Sequence, residues 1–333
     1  MKKTFLAALT GVVVLAGCAK TEVTEVSDNR AISFSNFVTN SVKSIDETGD
    51  LNKFYVYGGF EGSWNLFENQ LVELSGSDWK YSPVKFWVEN VRYYYAAYSN
   101  DNGNDGVTNQ KFDGGNTNEL SFDYSITDPA NEDLLYATAA PEVWDGTSVV
   151  AEVPFSFKHI LSKVIFKFTK SSDLNGLDLT ITGISINPIA EATFKGAALN
   201  GATQYPIGCW TTTGTATTTV PFNELIINED GGSQTTAARV VIPQALTEDY
   251  EVTFTVKYKD YNHDTGAIDE NGAEKSITLN APINKTTGEA WNPGYVYTYS
   301  ATITAENLTL KPIEFTATTS EWTNADETGL VIQ

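Results

Sequence analysis

The chain has 333 residues, with 42 Asp and Glu against 21 Lys and Arg, a formal net charge of −21, and only 2 His and 2 Cys. That balance argues against a nucleic-acid partner, because neutralising phosphates needs a basic face, and the scarcity of His and Cys leaves no four-cysteine or three-histidine zinc site to assemble. Hydrophobic content of 41% and aromatic content of 12% are too high for a disordered acidic chain, so the sequence predicts packed cores and implies no metal or other cofactor.

The first element is a leader. Lys2 and Lys3 precede an apolar run from Phe5 to Leu15 that is too short to span a bilayer as a mature helix. It ends in Leu15-Ala16-Gly17-Cys18, which resembles the lipobox of bacterial lipoproteins. That resemblance implies removal of residues 1–17 as a signal peptide and acylation of Cys18 with palmitate-type chains, which would tether a soluble body to the outer membrane at about 0.8 kcal/mol per buried methylene. The following Ala19-Lys20-Thr21-Glu22 is partly similar to the acidic signals that route Bacteroidetes lipoproteins to the outer face. With Cys18 acylated, Cys209 has no partner in the chain and no disulfide framework is possible. Nothing near Cys209 resembles an activating base, so it reads as a small buried apolar residue.

The body reads as strands. No stretch sustains a helical apolar period over three turns, and alternation of period two recurs instead. Ala31 to Asn40 predicts a first strand with Ile32, Phe34 and Val38 inward, although Phe37 breaks the alternation. Lys43 follows, then the polar, Gly-bearing stretch Ser44 to Asp50, and the next strand begins near Lys53. Further alternating runs are Phe54-Tyr55-Val56-Tyr57, Val164 to Phe168, Leu177 to Ile186, Arg239 to Ile242, Tyr250 to Tyr258, Tyr295 to Ile303 and Ile313 to Thr318. Turn chemistry separates them, as at Asp113-Gly114-Gly115 and Asp230-Gly231-Gly232. The Thr-rich stretch Trp210 to Val220 reads as an exposed strand or loop. The chain finishes Gly329-Leu330-Val331-Ile332-Gln333, an apolar strand with Leu330 and Ile332 on one side and Val331 on the other.

Many short strands with polar turns predict an all-β fold of β-sandwich type. A change in composition near Pro141 to Pro154 divides the body, giving a lipidated segment 18–43, an N-terminal domain 44–154 and a C-terminal domain 155–333.

Motifs for chemistry are sparse. Asp260 to Gly266 spaces oxygen ligands as calcium loops do, but Asn271 stands where such a loop needs a bidentate Glu, so a hairpin loop is the better account. His159 has no nucleophile motif beside it and reads as structural. No two carboxylates stand out as a hydrolytic pair, and no enzyme activity is expected. Trp64, Trp79, Trp87 and Tyr93-Tyr94-Tyr95 suggest either core anchors or a glycan-stacking patch on a monomeric surface lipoprotein.

Several segments in order resemble the fimbrillin family of Bacteroidales, the subunits of lipoprotein-derived pili. They are Tyr81-Ser82-Pro83-Val84-Lys85-Phe86-Trp87, Tyr94-Tyr95-Ala96-Ala97-Tyr98 and Asp133-Leu134-Leu135-Tyr136-Ala137. Next come Phe157-Lys158-His159-Ile160-Leu161-Ser162-Lys163-Val164 and Ile242-Pro243-Gln244. The last are Trp291-Asn292-Pro293-Gly294-Tyr295-Val296-Tyr297 and Ser320-Glu321-Trp322. The resemblance implies two tandem transthyretin-like β-sandwich domains and assembly by strand exchange for adhesion at the cell surface. A trypsin-like protease would cut behind the first strand, and another subunit's C-terminal strand would fill the groove. In this sequence Lys43 is the basic residue placed for that cut, with Arg30 as the alternative, though Arg30 precedes the strand. Leu330, Val331 and Ile332 supply the donor. The implied partners are therefore other pilus subunits, the outer membrane and the protease.

Overall fold

The computed structural model describes residues 30–36, 51–61, 65–100, 106–113, 118–130, 132–148, 152–199, 202–212, 214–247, 250–259, 273–283 and 289–322. Cys18, Val38, Lys43, Leu330, Val331, Ile332 and the 260–266 loop lie outside these residues. Within them the protein is all-β, with three short 3-10 turns and no α-helix.

The N-terminal half contributes β1 (Phe34–Asn36), β2 (Lys53–Phe60), β3 (Asn65–Ser75), β4 (Asp78–Lys80), β5 (Arg92–Asn100), β6 (Val107–Phe112), β7 (Leu120–Ser125) and β8 (Leu134–Val143). Then come β9 (Val153–Phe155), β10 (Lys158–His159), β11 (Ser162–Lys170), β12 (Leu179–Ile186), β13 (Glu191–Gly196) and β14 (Trp210–Thr212). Short strands follow at β15 (Val220–Pro221), β16 (Leu225–Ile227), β17 (Ser233–Thr235), β18 (Arg239–Val241) and β19 (Gln244–Ala245). The chain continues through β20 (Glu251–Lys259), β21 (Glu274–Pro282), β22 (Ala290–Trp291), β23 (Tyr295–Ile303) and β24 (Phe315–Glu321).

The C-terminal half is a sandwich. One sheet runs β17-β11-β23-β24, with β18 also on β11; the other runs β15-β12-β20-β21, with β16 also on β12. Period-two alternation builds its core: Val164, Phe166 and Phe168 of β11 meet Val252, Phe254 and Val256 of β20 in one buried cluster. The β11–β23 pair is parallel over eight residues, from Lys163↔Val296 to Lys170↔Ile303.

The N-terminal half is layered around the antiparallel sheet β10-β8-β5-β2-β3-β4. Phe54, Val56, Tyr93, Tyr95 and Ala97 face one buried cluster, whereas Tyr57, Ala96 and Tyr98 face another. A sheet covered on both sides has no solvent face, which is why β5 reads Tyr93-Tyr94-Tyr95-Ala96-Ala97-Tyr98 without polar alternation. One cover is the four-stranded sheet β14-β13-β7-β6. Its β13–β7 pairing, Glu191↔Ser125 to Gly196↔Leu120, joins strands from either side of residue 154. The other cover is thinner, made by β1, β9 and the segment from Tyr81 to Val88.

Pro141 to Pro154 holds more structure than a linker. It contains the end of β8 and most of β9, and β9 pairs with β1 in parallel through Phe34↔Val153, Ser35↔Pro154 and Asn36↔Phe155. Proline is tolerated there because so short a strand leaves its donor side free of the ladder.

Candidate functional site

The first strand is held as an inserted plug. Ile32 and Phe34 are each 2% exposed, while Ser33 and Ser35 are only partly buried. Strand alternation thus sends two apolar side chains inward from a segment of a few residues. On one side the Ile32 amide donates to the Lys85 carbonyl (2.9 Å) and the Trp87 amide donates to the Arg30 carbonyl (2.8 Å), around an antiparallel bridge between Ala31 and Phe86. On the other side the Val153 amide donates to the Ser33 carbonyl (2.8 Å). Tyr81 adds a side-chain contact: its hydroxyl donates to the Ile32 carbonyl at 2.7 Å and accepts from the Lys85 amide at 3.2 Å.

Phe34 enters a socket of five aromatic rings. Its ring centroid lies 5.4 Å from Phe67, 5.5 Å from Tyr81, 5.8 Å from Phe155, 6.1 Å from Tyr95 and 6.3 Å from Phe54. The Phe67, Tyr95 and Phe54 contacts are edge-to-face, with interplanar angles of 71°, 84° and 86°, the geometry that ring quadrupoles favour. Burial pushes the Tyr81 and Tyr95 phenols above their ordinary value, so the socket stays uncharged. Burying a Phe side chain contributes roughly 1.5–3 kcal/mol, and backbone pairing flanks the strand on both sides. The plug is thus held by its side chains and its backbone together.

Beside the plug, Val84, Phe86 and Val88 point outward and are 50%, 45% and 48% exposed, while Trp87 between them is buried. These three form an apolar stripe along the segment that the plug pairs with.

Of the sequence-predicted site residues, Ile32 and Phe34 face inward together, and Arg30 stands exposed at the mouth with its carbonyl in the backbone pairing. The socket walls Phe67 and Phe155 do not stand out in the sequence, and Tyr81 does so only within a family-like segment. Alternation within each strand is visible there, but their convergence depends on pairings across distant segments. Of the two readings of the aromatic patch, core anchors describe Trp87, Tyr93 and Tyr95, which are 4%, 0% and 0% exposed and lie in the N-terminal core, with Trp79 packed against it. Tyr94 is partly buried, and Trp64 lies outside the described residues. The Thr-rich stretch is corrected at its start, where Trp210 is buried and donates its indole N–H to the Ile160 carbonyl at 2.8 Å.

His159 is structural in its contacts. It is 3% exposed, its Nδ1 lies 2.9 Å from Asp133 Oδ1, and its ring stacks on Trp322. Cys209 is half-buried, and burial pushes its thiol up, away from the reactive thiolate. Among the described residues no group of three or more His, Cys, Asp or Glu is placed to hold a metal ion.

No curated protein matches the chain. Among solved structures it is similar to a fimbrial protein from Bacteroides vulgatus, at 14% identity over 88% of this chain and 100% of that one, with a TM-score of 0.59. It is also similar to a putative cell adhesion protein from Bacteroides uniformis, at 18% identity over 88% and 99% of the two chains and a TM-score of 0.46. A fimbrial anchor protein from Porphyromonas gingivalis matches at 11% identity over 88% and 98%, with a TM-score of 0.39. The family model described as fimbrillin-like matches residues 30–322, and by a match of that extent the chain belongs to the fimbrillin-like family.

Proposed function

We propose that the protein is a non-enzymatic structural subunit of a cell-surface pilus, exported as a lipoprotein through Cys18 and assembled by exchange of its first strand. The observation that carries this reading is the plug. The segment from Arg30 through β1 buries Ile32 and Phe34 across one face of the N-terminal core, so its removal would open an apolar slot flanked by unpaired backbone at Lys85 to Trp87 and at Val153 to Phe155. Such a slot is costly in water and is best satisfied by another apolar strand. Cleavage after Lys43 frees the strand, whereas cleavage after Arg30 leaves it seated. The acceptor of this chain's own Leu330-Val331-Ile332 is the corresponding slot of another subunit. The exposed stripe of Val84, Phe86 and Val88 gives an incoming subunit apolar surface next to that slot.

In this account the domains are the lipidated segment 18–43 and two sandwiches, the N-terminal one completed by β10, β13 and β14 from beyond residue 154. Deleting residues 324–333 tests the proposal. The expected result is loss of denaturant-resistant oligomers with the fold intact; oligomers that persist at wild-type level contradict it.

A further inference from the structure

We infer that the slot beneath the first strand is selective for a strand carrying an aromatic side chain, so that this chain's own C-terminal segment is a poor occupant and the preferred partner is a different chain. The inference rests on the strand-exchange proposal and adds to it the chemistry of the strand that fits.

Two kinds of contact hold the present occupant. The first reads only main chain: Tyr81 donates to the Ile32 carbonyl, and the flanking amides of Trp87 and Val153 donate to Arg30 and Ser33. Any extended strand meets those contacts. The second reads side chains at positions two apart, where Ile32 and Phe34 are both 2% exposed. The Phe34 position is walled by rings of Phe54, Phe67, Tyr81, Tyr95 and Phe155, all with centroids between 5.4 and 6.3 Å away. The wall rings also touch one another, Phe67 lying 5.4 Å from Tyr81 and 6.1 Å from Tyr95. A wall braced in this way cannot collapse freely onto a smaller guest, so an aliphatic side chain leaves a void and forfeits the edge-to-face contacts.

Residues 323–333 read Thr-Asn-Ala-Asp-Glu-Thr-Gly-Leu-Val-Ile-Gln and contain no Phe, Tyr or Trp. Leu330 and Ile332 have the required spacing of two, but whichever of them takes the Phe34 position is aliphatic. The partner that fits is an apolar β-strand of another protein, with an aliphatic and an aromatic residue two positions apart. Selectivity of this kind favours alternation of unlike subunits over a polymer of one chain.

The test uses the full chain, nicked with trypsin and offered fluorescein-labelled peptides. One peptide carries residues 31–40, one carries residues 323–333, and two carry the tail sequence with Leu330→Phe or Ile332→Phe. The expected result is that the 31–40 peptide exchanges in and that at least one Phe-bearing tail binds about tenfold more tightly than the unmodified tail. An unmodified tail that binds as tightly as the Phe-bearing ones overturns the selectivity while leaving strand exchange standing. Failure of every peptide, including 31–40, overturns strand exchange itself. A second measurement needs no exchange: in the uncut chain, Phe34→Leu should raise the rate of tryptic release of the first strand about tenfold, and Phe34→Tyr much less. Equal rates for both variants overturn the aromatic preference.

Discussion

The His159 imidazole lies flat on the Trp322 indole, with ring centroids 4.0 Å apart and planes 6° from parallel. Lys163 Nζ sits 4.3 Å from the centroid of the same indole. Trp322 is 3% exposed, and its amide donates to the Gly294 carbonyl at 2.7 Å. The stack therefore pins the end of β24 against β10.

Replacing Trp322 with Ala removes that pin. The expected cost is about 3–5 kcal/mol in urea unfolding, with Trp322→Phe retaining most of the lost stability because a ring still covers His159.

Phe34→Ala should cost about 3–5 kcal/mol by the same argument, since all five socket rings lose their common partner. Its distinguishing effect is local. Proteolysis between residues 36 and 51 should accelerate, whereas hydrogen exchange in β11 and β20, in the other sandwich, should stay as in the wild type.

Tyr95 presents the opposite case. It is fully buried, and its hydroxyl has no hydrogen-bond partner among the described residues. An unmet buried hydroxyl is a desolvation cost without return, so Tyr95→Phe should raise stability by about 1 kcal/mol in denaturant unfolding. A loss of stability would show that the hydroxyl is satisfied.

The buried tyrosines set a pH dependence. Burial holds Tyr95, Tyr124 and Tyr136 well above the ordinary value of 10.0. Their stabilising contribution is therefore complete below pH 10 and is lost as pH rises, because the unfolded chain releases phenolic protons that the fold retains. Between about pH 10 and 12 stability should fall by about 1.4 kcal/mol per pH unit for each tyrosine that ionises only on unfolding. Urea unfolding at stepped pH, with tyrosinate absorbance at each step, checks both sign and size.

The all-β character and many strands are legible because alternation is a local signal: Tyr295 to Ile303 alternates over the bounds that β23 occupies, and Ile32 and Phe34 face inward as the period requires. Other features depend on pairings no window can reveal. Val153 to Phe155 carries a proline and spans three residues, yet it is the strand that holds the first one. The tyrosines of β5 suggest a platform because a sheet buried on both faces gives an aromatic run with no polar counterpart. Asp133 lies 26 residues before His159, so their pairing is invisible beside the motif that contains the histidine. The resemblance to fimbrillins, by contrast, rests on short segments scattered along the body, and the family match spans them all.

The central claim is that the first strand is a removable plug whose place is taken by another chain. Mass spectrometry of the N-terminus of subunits isolated from assembled fibres on cells tests it most directly. The predicted result is subunits that begin at Ser44, free of acyl chains and joined in ladders that resist denaturation. Assembled subunits that still carry residues 30–43 on an acylated Cys18 would contradict it.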